Sequence, residues 1–124
     1  MAAATDGAFQ LGSAGIRLAQ ITDGLSNTIL VGEKHVALNQ FGVGWSDCSL
    51  YNGDYATCST RAGGIGYPLA TSLTDPGWKF GSYHTNLVQF AWGDGGLRPL
   101  PVSIAPYVLG LMTSINDGEV IPDF

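Results

Sequence analysis

Positive charge is scarce in this chain, and that scarcity narrows the choice of partner. Five Lys and Arg stand against ten Asp and Glu in 124 residues, a formal net charge of −5. The five (Arg17, Lys34, Arg61, Lys79 and Arg98) occur singly along the chain. They make no cluster of the kind a phosphate backbone requires, so no nucleic-acid partner is expected. Charge of either sign is low, 12% against a usual share of roughly 25%. Apolar residues reach 45%, enough for a core, so a disordered acidic tail is excluded. No run approaches the ~20 apolar residues of a membrane span, and Met1 to Asp6 lacks the basic and apolar regions of a signal peptide. Cysteine and histidine number two each, too few and too scattered for a zinc site. Cys48 and Cys58, ten positions apart, instead suit a disulfide in an oxidising compartment. The loop it closes is worth about 2–3 kcal/mol by the chain-entropy account.

Glycine is abundant: 18 residues, about twice its usual share of about 7%. There is no collagen period and no low-complexity run, which leaves a turn-rich β domain, with residues 1–124 forming one unit. A domain of this length buries only about two-thirds of its unfolded surface.

Along the chain, Ala8 to Gln20 reads as an edge hairpin or an extended entry segment. A turn follows at Asp23-Gly24, and Ser26-Asn27 continue its polar corner. Thr28 to Leu38, rich in β-branched residues, reads as a strand. Gly32 inside it marks a bulge or a close neighbour, and Glu33 needs solvent or a partner. Residues 39–80 form a long loop-rich insertion. Short strands are expected near Gly44–Trp45 and Tyr67–Ala70, with Trp45, Tyr51, Tyr55, Tyr67 and Trp78 packed beneath. Val88, Phe90 and Trp92 alternate onto one face of a strand that turns at Gly93-Asp94-Gly95-Gly96 and returns over Leu97 to Val102. Pro99 and Pro101 make the returning strand an edge. Ser103 reads as a helix N-cap. Ile104, Val108, Leu111, Met112 and Ile115 form one helical stripe, Asn116-Asp117-Gly118 end the helix, and Glu119 to Ile121 read as a last short strand. The fold class is therefore α+β, an antiparallel sheet with a C-terminal helix.

Candidate chemistry is sparse. His84, Asp94 and Ser82 contain elements of a hydrolytic triad, but no strained strand-to-helix elbow presents a nucleophile. An aspartate in an Asp-Gly turn ordinarily bonds its neighbouring N–H groups, so no catalytic residue is assigned. Glu33, Asp23 and Asp94, or Asp47, Asn52 and Asp54, could offer oxygens to Ca²⁺, yet neither set has an EF-hand spacing. No cofactor is assigned, with Ca²⁺ as the remaining option. Gly63-Gly64-Ile65-Gly66 is no phosphate cradle, because Tyr67-Pro68 follows it where a P-loop has its Lys and helix. Trp45, Tyr51, Tyr55 and Trp78, with nearby Asn and Asp, could form a sugar-binding face, although aromatics in a small domain are more often core.

The run Thr22-Asp23-Gly24-Leu25-Ser26-Asn27-Thr28, followed by Ile29 to Glu33, resembles a block found in a large group of prepilin-like secreted bacterial proteins. That group carries a signature of His, nine residues, then Asp-Gly. Here His84 is followed by nine residues and Asp94-Gly95. Phe80-Gly81-Ser82, Phe90-Ala91, Ser49 to Asp54 and Asp117 to Ile121 fit the same pattern, whereas Thr85-Asn86 and Trp92-Gly93 depart from it. The resemblance implies a pilin-like head without its N-terminal prepilin helix, so that membrane contact would come only through a helix absent from this chain. It implies a non-enzymatic structural subunit, extracellular or at the cell surface, contributing to a filament or secretion apparatus. Self-association or other pilin-like subunits are the expected partners. The alternative is an extracellular glycan- or solute-binding module. Asp23, Gly24, Ser26, Asn27, Glu33, His84, Asp94 and Gly95 are then structural signature residues, with His84 expected to bond Glu33 or the Asp23 loop. A bare apolar face is expected where the missing helix would lie.

Overall fold

The computed structural model describes residues 6–10, 12–44, 46–49 and 55–124. A 3₁₀ turn, Leu18–Gln20, precedes strand β1, Ile29–Gly32. A one-turn helix, α1 (Ala56–Ser59), interrupts the long insertion. Strands β2 (Leu87–Trp92) and β3 (Leu97–Pro101) then form a hairpin, and helix α2 covers Pro106–Thr113. The sheet is antiparallel in the order β1-β2-β3. The fold is α+β, with turns and loops making up the rest of the described residues.

The core follows from the alternation in β2. Val88, Phe90 and Trp92 are buried on one face with Ile29 and Leu100, and against them lie Ile104, Val108, Leu109 and Met112 from α2 and its approach. Each such side chain contributes about 1.5–3 kcal/mol by leaving water. All five residues of the expected stripe are buried, and so is Leu109, which lies off it. Leu109 is covered because a loop packs on a second side of the helix. A Cβ on Gly63 would stand 3.0 Å from Leu109 Cγ, and one on Gly110 would stand 3.3 Å from Gly64 Cα. The glycine run at 63–66 is thus a site of close loop-to-helix approach.

Several expectations are corrected. The described residues of Ala8 to Gln20 form bends and a 3₁₀ turn, with local bonds serving their backbone: Ser13 N–H to Gln10 O, Gly15 N–H to Ser13 Oγ, and Arg17 N–H to Gln20 Oε1 at 2.7 Å. The strand expected over Thr28–Leu38 stops at Gly32. There the Glu33 carboxylate accepts the Gln89 N–H at 2.7 Å and His35 N–H turns to Lys79 O, so the chain changes partner. The register shift in β1 lies between Ile29 and Val31, ahead of Gly32 and not at it. Gly32 has the close neighbour, since a Cβ there would lie 2.7 Å from the Phe80 ring.

Gly44 lies in a turn, and Trp45 is outside the described residues. Tyr67 makes only a bridge to Gly64, and Ala70 N–H bonds Phe80 O, so no strand forms over Tyr67–Ala70. The N-cap of α2 is Ala105 and not Ser103, with Pro106 supplying the fixed φ and needing no N–H partner. The helix ends at Thr113, three residues before the expected stop. Glu119 to Ile121 pair with nothing among the described residues, and the Glu119 N–H bonds Asp117 Oδ1 instead.

Candidate functional site

Two braced corners stand at one end of β2. In the first, Gly24 (φ +98°) reverses the chain. Gly24 O then accepts both the Asn27 N–H and the Thr28 hydroxyl, while Asn27 Nδ2 donates to Asp23 O. The Asp23 carboxylate accepts the N–H groups of Asp117 and Gly118 at 2.8 and 3.0 Å, tying the chain end to this corner. In the second corner Gly95 (φ +83°) makes the turn, and Asp94 accepts the Gly96 N–H at 2.8 Å. Arg98 joins the two. Its guanidinium donates to Ser26 O at 2.7 Å and Asp94 Oδ2 at 3.4 Å, and lies 4.1 Å over the Trp92 ring. Nothing in the sequence around Arg98 singled it out, because its partners are 4 to 72 residues away.

His84 lies beyond the opposite end of β2. Its Nε2 is 3.3 Å from Glu33 Oε1, so the expected His84–Glu33 contact is made. The Glu33 carboxylate reaches Gln89, and the three residues from there to Trp92, about 10 Å at 3.3 Å each, still separate this pair from the Asp94 turn. His84 and Asp94 therefore do not converge, and Ser82 Oγ accepts the backbone N–H of His84. The hydrolytic arrangement is not assembled. Glu33, Asp23 and Asp94 likewise serve three separate sets of donors. Among the described residues no group of three or more His, Cys, Asp or Glu side chains is placed to hold a metal ion. Of the second acidic set, Asn52 and Asp54 lie outside the described residues.

Cys48 and Cys58 are joined in a disulfide. Lys34, unremarkable in the sequence, holds it in place. Its Nζ donates to Asp47 at 3.0 Å and to the carbonyls of Cys48 and Cys58 at 3.3 Å each. The Gly42 N–H first, and Lys34 second, hold the Asp47 carboxyl below the usual carboxylate range.

The loop-rich insertion folds around an open cleft of about 650 Å³ whose lining includes His35, Gln40, Tyr55, Arg61, Asp75 and Trp78. Tyr55 and Trp78 are 50% and 39% exposed, so they do not pack beneath the loops as expected. Trp45 and Tyr51 lie outside the described residues. Asp75 caps the turn at 71–75, accepting the N–H groups of Thr71 (2.8 Å) and Ser72 (3.3 Å), with Lys79 Nζ 3.8 Å away. Those bonds, the Thr71 N–H above all, hold its carboxyl low. Buried His35 places Nε2 2.9 Å from Asp75 O. A carbonyl can only accept, so Nε2 carries the hydrogen.

A family model described as a protein of unknown function (DUF1559), SBP_bac_10, matches residues 1–107. The chain belongs to the DUF1559 family. No curated protein and no solved structure matches it. The stretch shared with the DUF1559 family takes in both corners, the cleft and the hairpin, and reaches only the start of α2. Among the described residues no helix is long and apolar enough to cross a membrane.

Proposed function

We propose that this domain is a non-enzymatic, pilin-like subunit that works at or outside the cell surface by associating with further copies of itself. The observation that carries the reading is the sheet's second face. The first face is closed by α2, and the second has no helix over it among the described residues. Val31, Ala91 and Leu97 pair in one row across the three strands, with Val31 57% and Leu97 79% exposed. Pro99 and Pro101 extend the apolar surface along β3, one of the two edge strands. A contiguous apolar strip of this kind marks an association surface. The disulfide supports an oxidising location. The rigid bracing of the corners supports a scaffold role, because every signature carboxylate is bonded to backbone or to a neighbouring side chain.

Sedimentation velocity across a concentration series tests the reading. The chain is expected to form dimers or larger species by about millimolar concentration. Leu97→Asp should return it to monomer with an unchanged melting temperature. A strict monomer throughout that range, or association indifferent to Leu97→Asp, would overturn it.

A further inference from the structure

The lining of the cleft in the loop insertion shares no residue with the bare sheet face. We propose that this cleft is a binding site for a neutral saccharide, a short stretch of uncharged oligosaccharide.

The cavity volume, about 650 Å³, falls within the roughly 300–1,000 Å³ of small-molecule sites. Its chemistry is decided by which groups are already engaged. Arg61 directs its guanidinium to backbone: Nη1 donates to Thr60 O at 2.7 Å, and Nη2 to His35 O at 3.2 Å and Ser46 O at 3.4 Å. It is a strut that holds the walls together, and burial lowers its pKa. Asp75 is turned to the N–H groups of its own loop and faces Lys79. Among the described residues of the lining both charges are engaged by their own chain, so neither is set out for a charged ligand.

What the lining does offer is aromatic faces and uncharged polar groups. Tyr55 and Trp78 are half-exposed, and both line this cleft. Gln40 and Ser46, joined at 3.4 Å, supply an amide and a hydroxyl to the same lining. An aromatic face takes the apolar C–H side of a pyranose ring, while amide and hydroxyl groups match its hydroxyls. Both aromatics are held on a fixed frame. Trp78 O accepts the Ala62 N–H at 2.9 Å, and Tyr55 O accepts the N–H of Cys58, one half of the disulfide. The lining is thus anchored before any ligand arrives, which limits the ordering required on binding.

The test is a titration of the full chain with maltotriose, cellotriose, xylotriose and tri-N-acetylchitotriose, with trigalacturonate as the anionic comparison. Isothermal calorimetry and the Trp78 indole N–H resonance provide the readouts. At least one neutral trisaccharide is expected to bind with a dissociation constant between about 10 μM and 10 mM. Trp78→Ala and Tyr55→Ala should each weaken it at least about tenfold at an unchanged melting temperature. Leu97→Asp should leave it intact, which separates this site from the association surface. The proposal is overturned if none of the neutral sugars binds, if binding survives both substitutions, or if trigalacturonate binds as tightly. If Trp78→Ala fails to fold, Tyr55→Ala carries the same test from a separate element.

Discussion

Gly32 shows how much one missing Cβ can decide. It sits in β1 opposite Phe90, whose ring packs edge-on against Phe80 at 5.3 Å between centroids. Gly32→Ala would drive a methyl group into both rings, which other core groups hold in place. Overpacking of this kind costs about 1–3 kcal/mol, so urea unfolding should show that loss with an unchanged slope. An unaltered midpoint would mean that the two rings can move apart. Glu33, one position on, was legible as a residue that needs a partner, because a carboxylate in a strand does. Its bond to the Gln89 N–H was not legible, since the partner is 56 residues away. Arg98 and Lys34 carried no local signal at all. Beside their carboxylate partners Asp94 and Asp47, they bond backbone carbonyls that only the folded chain brings near.

At the scale of elements, the hairpin was the most readable part. Alternation in Leu87–Trp92, a four-residue glycine-rich turn and prolines on the return strand are all local properties, and they specify register and edge without reference to the rest. The boundaries of α2 were less readable. Its stripe showed in the spacing, but its start depends on Pro106 and its end on Thr113, whose hydroxyl has the carbonyl oxygens of Gly63, Leu109 and Gly110 within reach at 3.1 to 3.2 Å and donates to one of them at a time. Between β1 and the hairpin the described residues of the insertion have little regular structure of their own, and the Cys48–Cys58 link with Lys34 across it substitutes for a ladder. Cys48→Ser with Cys58→Ser should therefore lower stability by about 2–3 kcal/mol, measured by urea unfolding against the oxidised chain. A loss near zero would mean that Lys34 and Asp47 already close the loop.

For the whole molecule, acid should be destabilising through the insertion. Asp47 and Asp75 are both held below the ordinary carboxylate range, chiefly by the N–H groups of Gly42 and Thr71. Their stabilisation is complete above the ordinary value, where the unfolded carboxylates are also ionised. It is lost as pH falls through the folded-state values, because the unfolded chain binds protons first. Urea midpoints should fall between about pH 4 and pH 2, and less steeply in Asp75→Asn. Parallel curves for the two proteins would contradict this. The sequence by itself determined the antiparallel hairpin, the buried stripe of α2, the two Asp-Gly corners and the scarcity of positive charge. The charge is a matter of composition, and the other three depend on neighbours within about ten residues, the range at which backbone sterics and periodicity act. Tertiary structure alone decided that His84 and Asp94 lie at opposite ends of a strand and that Arg98 joins the two corners. It also decided that Tyr55 and Trp78 meet in one cleft. Those outcomes depend on how distant segments are brought side by side, which burial of the whole apolar face settles and no local pattern encodes.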